Sequence, residues 1–121
     1  MVFLNDISQD YKNAILSKSD IFVMPSIKYK KSVEGFGISF VEAAQFGLPS
    51  IGGKDGGASD AISHNKTGLI CDGNDLNSIY EAIINLFTNN KFNEYGKSAK
   101  IFSENFHWNK VVKSYLKLIN E

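Results

Sequence analysis

Short runs of β-branched and aromatic residues recur along the chain, each closed by a turn former and followed by apolar residues spaced three and four apart. Val2-Phe3-Leu4, closed by Asn5-Asp6, reads as the first strand, and Ile21 to Met24, ended by Pro25-Ser26, as the second. Ser50-Ile51 starts a third, interrupted by Gly52-Gly53, and Leu69-Ile70-Cys71 follows the turn Asn65 to Gly68 as another. Between them the spacing predicts helices. Ser8 or Asp10 caps one that carries Tyr11, Ala14 and Ile15 on one face and ends before Asp20. The segment Ile38 to Phe46 is the next, with Gly47 at its C′ position and Pro49 preventing continuation, and a short helix runs from Ala58 to His64. Three helices close the chain. Asp75 caps one bearing Ile79, Ala82, Ile83, Leu86 and Phe87, which Asn89-Asn90 ends; Phe92, Tyr95, Ala99 and Phe102 define the next. Trp108, Val111, Val112, Tyr115, Leu116 and Ile119 define the last, and its apolar face is wide. Phe92, Phe102, Phe106 and Trp108 read as core aromatics.

Strands alternating with helices imply an α/β domain of Rossmann-like, three-layer form with a short, mostly parallel sheet of about four strands. Ligands in such folds lie beyond the carboxyl ends of the strands, where the turns at Glu34 to Gly37 and Asp55 to Gly57 both fall. At 121 residues, with 43% of them hydrophobic, the chain is long enough for one domain with a core of its own.

Charge narrows the classes. Lysines alone supply the 13 basic residues, they are spread along the chain, and they balance 13 acidic ones, so the electrostatic footprint of a nucleic-acid binder is missing. The absence of arginine also removes the usual bidentate partner of a diphosphate. Cys71 stands alone, which rules out an internal disulfide and reads as a buried strand thiol in a reducing compartment. No apolar run approaches the roughly 20 residues of a membrane span, and no secretory leader follows Met1. A cytoplasmic location is expected, with peripheral attachment at the inner membrane face left open. His64 and His107 are isolated and receive no role.

The chemistry concentrates in Glu34-Gly-Phe-Gly-Ile-Ser-Phe-Val-Glu42-Ala-Ala-Gln-Phe-Gly47, directly after the strand ending at Pro25-Ser26 and a lysine-rich loop, Ile27 to Val33. Gly35 and Gly37 flank Phe36 where the helix begins, so backbone N–H groups at the positive end of the helix dipole can meet an anion. Glu34 and Glu42 bracket that turn. Two carboxylates beside an anion site need donors of their own, and sugar hydroxyls serve without neutralising them. A phosphorylated sugar is the ligand this suggests.

The frame from Pro25-Ser26 through Glu34, Glu42 and Gly47 to Pro49 closely resembles the donor-binding motif of retaining GT-B glycosyltransferases of family 4 (glycosyl transferases group 1). The resemblance continues through Pro49-Ser50-Ile51, Gly56-Gly57, Thr67-Gly68-Leu69-Ile70 and Trp108, and so covers nearly the whole chain. It implies that residues 1–121 are a partial C-terminal, donor-binding domain without its N-terminal acceptor domain, transferring a hexose with retention from a nucleotide diphosphate sugar to a glycan or lipid-type acceptor, as in cell-envelope polysaccharide synthesis. Carried over residue by residue, Glu34 is the catalytic-site carboxylate that meets the donor sugar's hydroxyls. Gly35, Phe36, Gly37 and Ile38 present backbone to hexose and diphosphate, and Glu42 accepts from the ribose hydroxyls. No metal or cofactor is expected, as in GT-B enzymes. Asn5 stands where the family usually has glycine and Asp60 where it usually has glutamate, and the two strands that supply an arginine and a lysine to the diphosphate have no counterpart. By itself the chain is therefore expected to be catalytically incomplete. Either Val2 to Leu4 pairs directly with Ile21 to Met24, or the open sheet edge takes a second copy or a separately encoded N-terminal half. A second expectation, of a different class, is a non-catalytic sugar-nucleotide-binding or assembly module that docks on a partner chain.

Overall fold

The computed structural model describes residues 1–121. In chain order the elements are α1 (Gln9–Lys18), β1 (Phe22–Met24), α2 (Ile38–Gln45), β2 (Ser50–Gly53), α3 (Ala58–Ala61), β3 (Gly68–Cys71), α4 (Leu76–Phe87), α5 (Lys91–Ser103) and α6 (Trp108–Ile119). The three strands form one parallel sheet in the order β1-β2-β3, with Val23 opposite Ile51 and Ile51 opposite Leu69. Parallel pairing demands crossovers, which α2 and α3 provide.

Because side chains alternate across a strand, this register sorts the core into two layers. Ile51, Leu69 and Cys71 face Ala82 and Leu86 of α4 and Tyr95 of α5. On the opposite side Phe22, Met24 and Ile70 meet Phe40 and Val41 of α2, Ala58 and Ala61 of α3, and Ile62. The three-layer α/β reading holds, as do the Asp75 cap, which accepts from the Asn77 N–H, and the left-handed Asn89 and Asn90 that end α4. Burial pushes the Cys71 thiol above its ordinary value, with the neighbouring Asp72 charge adding to it, so the lone cysteine is the buried strand residue its neighbours imply.

Several sequence expectations need correction. Val2-Phe3-Leu4 is not a strand; it lies exposed and unpaired, so the sheet has three strands rather than about four. Three apolar residues have strand propensity but gain nothing without a ladder to join. In α1 the buried residue is Leu16, while Tyr11, Ala14 and Ile15 face solvent, because the helix meets Ala43 and Leu48 along a line one position away from the expected face. Gly52-Gly53 does not interrupt β2; both residues are in the strand, since a side chain at Gly52 would press on Ile62, Ala58 and Phe40, and one at Gly53 would overlap the Ser26 backbone. Helix α3 stops at Ala61, not His64, which instead bridges to Gly68 and accepts the Ile70 N–H at Nδ1 (2.9 Å).

Helix α6 is as regular as its periodicity predicts, but most of its apolar face is bare: Trp108, Tyr115, Leu116, Leu118 and Ile119 are exposed, and Val111 and Val112 are half-buried. Trp108 is thus not core, although Phe102 and Phe106 pack edge to face at 5.3 Å. No helix is long and apolar enough to cross a membrane.

Candidate functional site

At the carboxyl ends of the strands, loops approach each other through glycines. The Gly57 N–H donates to the Glu34 carbonyl (3.1 Å), and a Cβ on Gly57 would overlap the Gly35 carbonyl and crowd the Phe36 Cα. Gly56, at φ +94°, lies against the same Glu34 carbonyl. The two glycine-rich turns that the sequence places at this edge are therefore in direct backbone contact. Upstream, the Lys28 N–H donates to Asp55 Oδ2 (3.1 Å), and Tyr29 and Ser32 exchange backbone hydrogen bonds of 2.9 and 2.8 Å, so the lysine-rich loop is a small hairpin tied to the second turn.

Helix α2 starts at this contact. Gly37 occupies the cap position at φ +81°, a left-handed conformation that disfavours any side chain, and a Cβ there would come within 2.6 Å of the Phe40 ring. A glycine cap offers no side-chain acceptor. Ser8 caps α1 and Asp75 caps α4, whereas no side chain caps α2, α3, α5 or α6; of these starts, α2 is the one that follows Glu34 directly in the chain, and its Ile38 and Ser39 amides have no partner in the helix or the surrounding turns. The Phe36 ring does not project freely; it lies 5.2 Å from Phe106 at an interplanar angle of 48°.

The two glutamates stand differently. Glu34 is half-buried on the loop, and its carboxylate has no hydrogen-bond partner. Glu42, one turn into α2, is claimed by Lys12 of α1, whose Nζ lies 3.1 Å from both carboxylate oxygens. Nothing in the sequence announces this pair, which joins residues 30 apart across two helices. Of the expected site, Gly35, Phe36, Gly37 and Ile38 form one continuous ledge with Glu34, and Glu42 lies along the same helix but turned toward α1. A cavity of about 620 Å³ lies elsewhere, around Thr67, Tyr95, Ser98 and Phe102 beside the amino end of β3, and touches none of these residues.

A further ion pair fixes the edge. Lys54, just past β2, donates to Asp72, just past β3, at 2.6 Å. That hydrogen bond, helped by the Asn74 N–H, holds the Asp72 carboxyl below its ordinary value, and the same bond raises Lys54. A carboxyl lowered in the folded state adds stability that is complete above its unfolded value and lost as pH falls through the folded one. A lysine raised in the folded state adds stability that is complete below its unfolded value and lost as pH rises through the folded one. Wild type should therefore melt above Asp72→Asn across the neutral range, and the two curves should converge in acid, below the ordinary carboxylate range, and again in strong alkali. A melting difference that persists unchanged through the acid limb would show that the pair does not act through charge. Both groups are solvent-exposed, so the difference should shrink with added salt.

The profile of the family Glycosyl transferases group 1 matches residues 1–105. The chain belongs to the group 1 glycosyl transferases. This group 1 chain is 36% identical over 88 residues to a GDP-mannose-dependent alpha-(1-6)-phosphatidylinositol monomannoside mannosyltransferase of Mycobacterium tuberculosis, covering 71% of this chain and 23% of that protein. It is 32% identical over 118 residues to sucrose-phosphate synthase 1 of Arabidopsis thaliana, covering 95% of this chain and 10% of that one. The chain thus spans less than a quarter of the length of these relatives. Its fold matches sucrose-phosphate synthase from Thermosynechococcus elongatus with a TM-score of 0.81 at 24% identity, over 98% of this chain and 29% of that structure. Anabaena HepE, solved with UDP and glucose, matches with a TM-score of 0.69 at 16% identity, over 88% of this chain and 28% of that one. The three-stranded α/β fold of this group 1 chain therefore matches part of GT-B glycosyltransferase structures, as the glycine-loop motif led one to expect.

Proposed function

We propose that this chain is the nucleotide-sugar-binding half of a retaining glycosyltransferase, and that alone it holds its donor without transferring the sugar. The observation that carries this reading is the uncapped amino end of α2, whose Ile38 and Ser39 amides are open beside Glu34 on a ledge clamped by Gly56-Gly57. A diphosphate at that end would gain the free N–H groups and the helix dipole. Glu34 would take the hydroxyls of the hexose, as the group that touches the reacting sugar, and Glu42 the ribose diol. The backbone of Gly35, Phe36, Gly37 and Ile38 lines the path between them. No metal enters this scheme, since the backbone dipoles receive the charge. Sugar transfer from a GDP-linked or UDP-linked donor to a lipid or glycan acceptor is the activity that the mannosyltransferase and HepE suggest.

Calorimetric titration with UDP-, GDP- and ADP-sugars tests the reading. One donor should bind, and Glu42→Ala should weaken it about 10- to 100-fold through loss of charge-assisted hydrogen bonds, without hydrolysis or transfer in either protein. Equal affinity in the variant, or turnover by the chain alone, would sink it.

A second reading, an assembly module, is favoured by one specific observation: Val2, Phe3, Trp108, Leu118 and Ile119, at the two ends of the chain, are each more than two-thirds exposed. A second copy of the chain would cover such surface. Sedimentation of the purified chain decides it, a concentration-dependent dimer supporting the module and a monomer at all concentrations opposing it.

A further inference from the structure

The geometry points to Lys12 as a positioning residue for the nucleotide's ribose, acting through Glu42. This inference rests on the donor-site reading above and adds a residue to it. Lys12 Nζ spans both Glu42 oxygens at 3.1 Å, and the two side chains are alike in exposure, at 36% and 34%. A carboxylate offers about four acceptor positions. The ammonium occupies the side toward α1 and leaves the remaining lone pairs for two hydroxyls, which suits a vicinal diol. A glutamate on a helix surface otherwise samples several rotamers, and ordering it at the moment of binding would cost affinity. Lys12 supplies that order beforehand.

Two features of α1 make the contact more than an incidental surface pair. The helix buries only Leu16, and the Lys12–Glu42 pair is its one side-chain hydrogen-bonded link to another element. Helix α1 thereby carries a polar tether that ends on the carboxylate assigned to the diol. Its position relative to α2 sets where the Glu42 oxygens point.

The test compares calorimetric affinities for UDP and GDP with those for their 2′-deoxy counterparts in wild type, Lys12→Gln, Lys12→Arg and Glu42→Ala, with melting curves for each. Wild type should prefer the ribonucleotide about tenfold, and Lys12→Gln should weaken the ribonucleotide roughly three- to tenfold while leaving the deoxy form nearly unchanged. Lys12→Arg should restore most of the preference. A merely structural lysine would weaken both nucleotides alike or lower only the melting temperature, so an unchanged preference in a folded Lys12→Gln overturns the inference. Should Lys12→Gln fail to fold, the arginine variant decides, because it keeps the tether and must keep the preference. Failure of the donor reading is separately visible. There, wild type binds neither nucleotide, or Glu42→Ala binds as wild type does.

Discussion

Replacing Gly57 with alanine is expected to lower the melting temperature by roughly 4–12 °C and to abolish measurable donor binding, while alanine at Gly35 leaves the melting temperature near wild type. The added Cβ at Gly57 would overlap the Gly35 carbonyl and crowd the Phe36 Cα, which are backbone atoms and cannot swing aside as a flexible side chain can. Overpacking of this kind costs about 1–3 kcal/mol, and for a domain of this size each kcal/mol moves the transition by roughly 4 °C. The affinity loss has a separate cause. Relief of the overlap requires the Glu34-Gly35 segment to lift, which breaks the 3.1 Å bond from the Gly57 N–H and moves Glu34 away from the start of α2. At Gly35 an ideal Cβ meets nothing within 4 Å, so the melting temperature of that variant reports the loss of a glycine on the other side of the contact without the clash. Differential scanning calorimetry and donor titration on the two variants give the answer. A Gly57→Ala protein that melts and binds like wild type would show that the two loops are not clamped together.

Much of this arrangement was legible in the sequence because it depends on local rules. Helix α2 and its left-handed Gly37 and Gly47 follow from glycine placed around an apolar run, and α4, α5 and α6 follow from spacing alone. The Gly35-Phe36-Gly37 turn stands out because backbone accessibility at a helix start is itself a local property, while Ile38 and the role of Glu34 are what the family resemblance implies. What escaped notice depends on partners distant in the chain. Gly52 and Gly53 look like a strand break until Phe40, Ile62 and Ser26 are seen filling the space that a side chain would take. Val2 to Leu4 has the composition of a strand, and only the absence of a pairing partner keeps it from being one. Lys12 is one of 13 lysines, and no spacing rule links it to a glutamate in another helix.

Phe40→Ala is expected to be the most damaging single truncation on the ligand side of the sheet, at about 3–5 kcal/mol. Small domains hold only about 5–15 kcal/mol in total, so the variant should be partly unfolded near body temperature. Phe40 is 1% exposed, meets Phe22 edge to face with centroids 5.7 Å apart, and lies directly beneath Gly37 and Gly52. Its ring therefore supports the amino end of α2 from below as well as filling the core. Leu86→Ala supplies the comparison, because Leu86 is fully buried on the opposite face of the sheet, among α4 and α5, and its loss should cost a similar 2–5 kcal/mol. Measured well below both transitions, the two variants should differ in binding though not in stability. Phe40→Ala should lose donor affinity beyond what its unfolded fraction explains, since the cavity lets Gly37 and the free amides shift, while the folded fraction of Leu86→Ala binds as wild type does. Equal affinity in both would mean that the α2 terminus holds its geometry without the ring, and that the Gly56-Gly57 clamp alone positions the site.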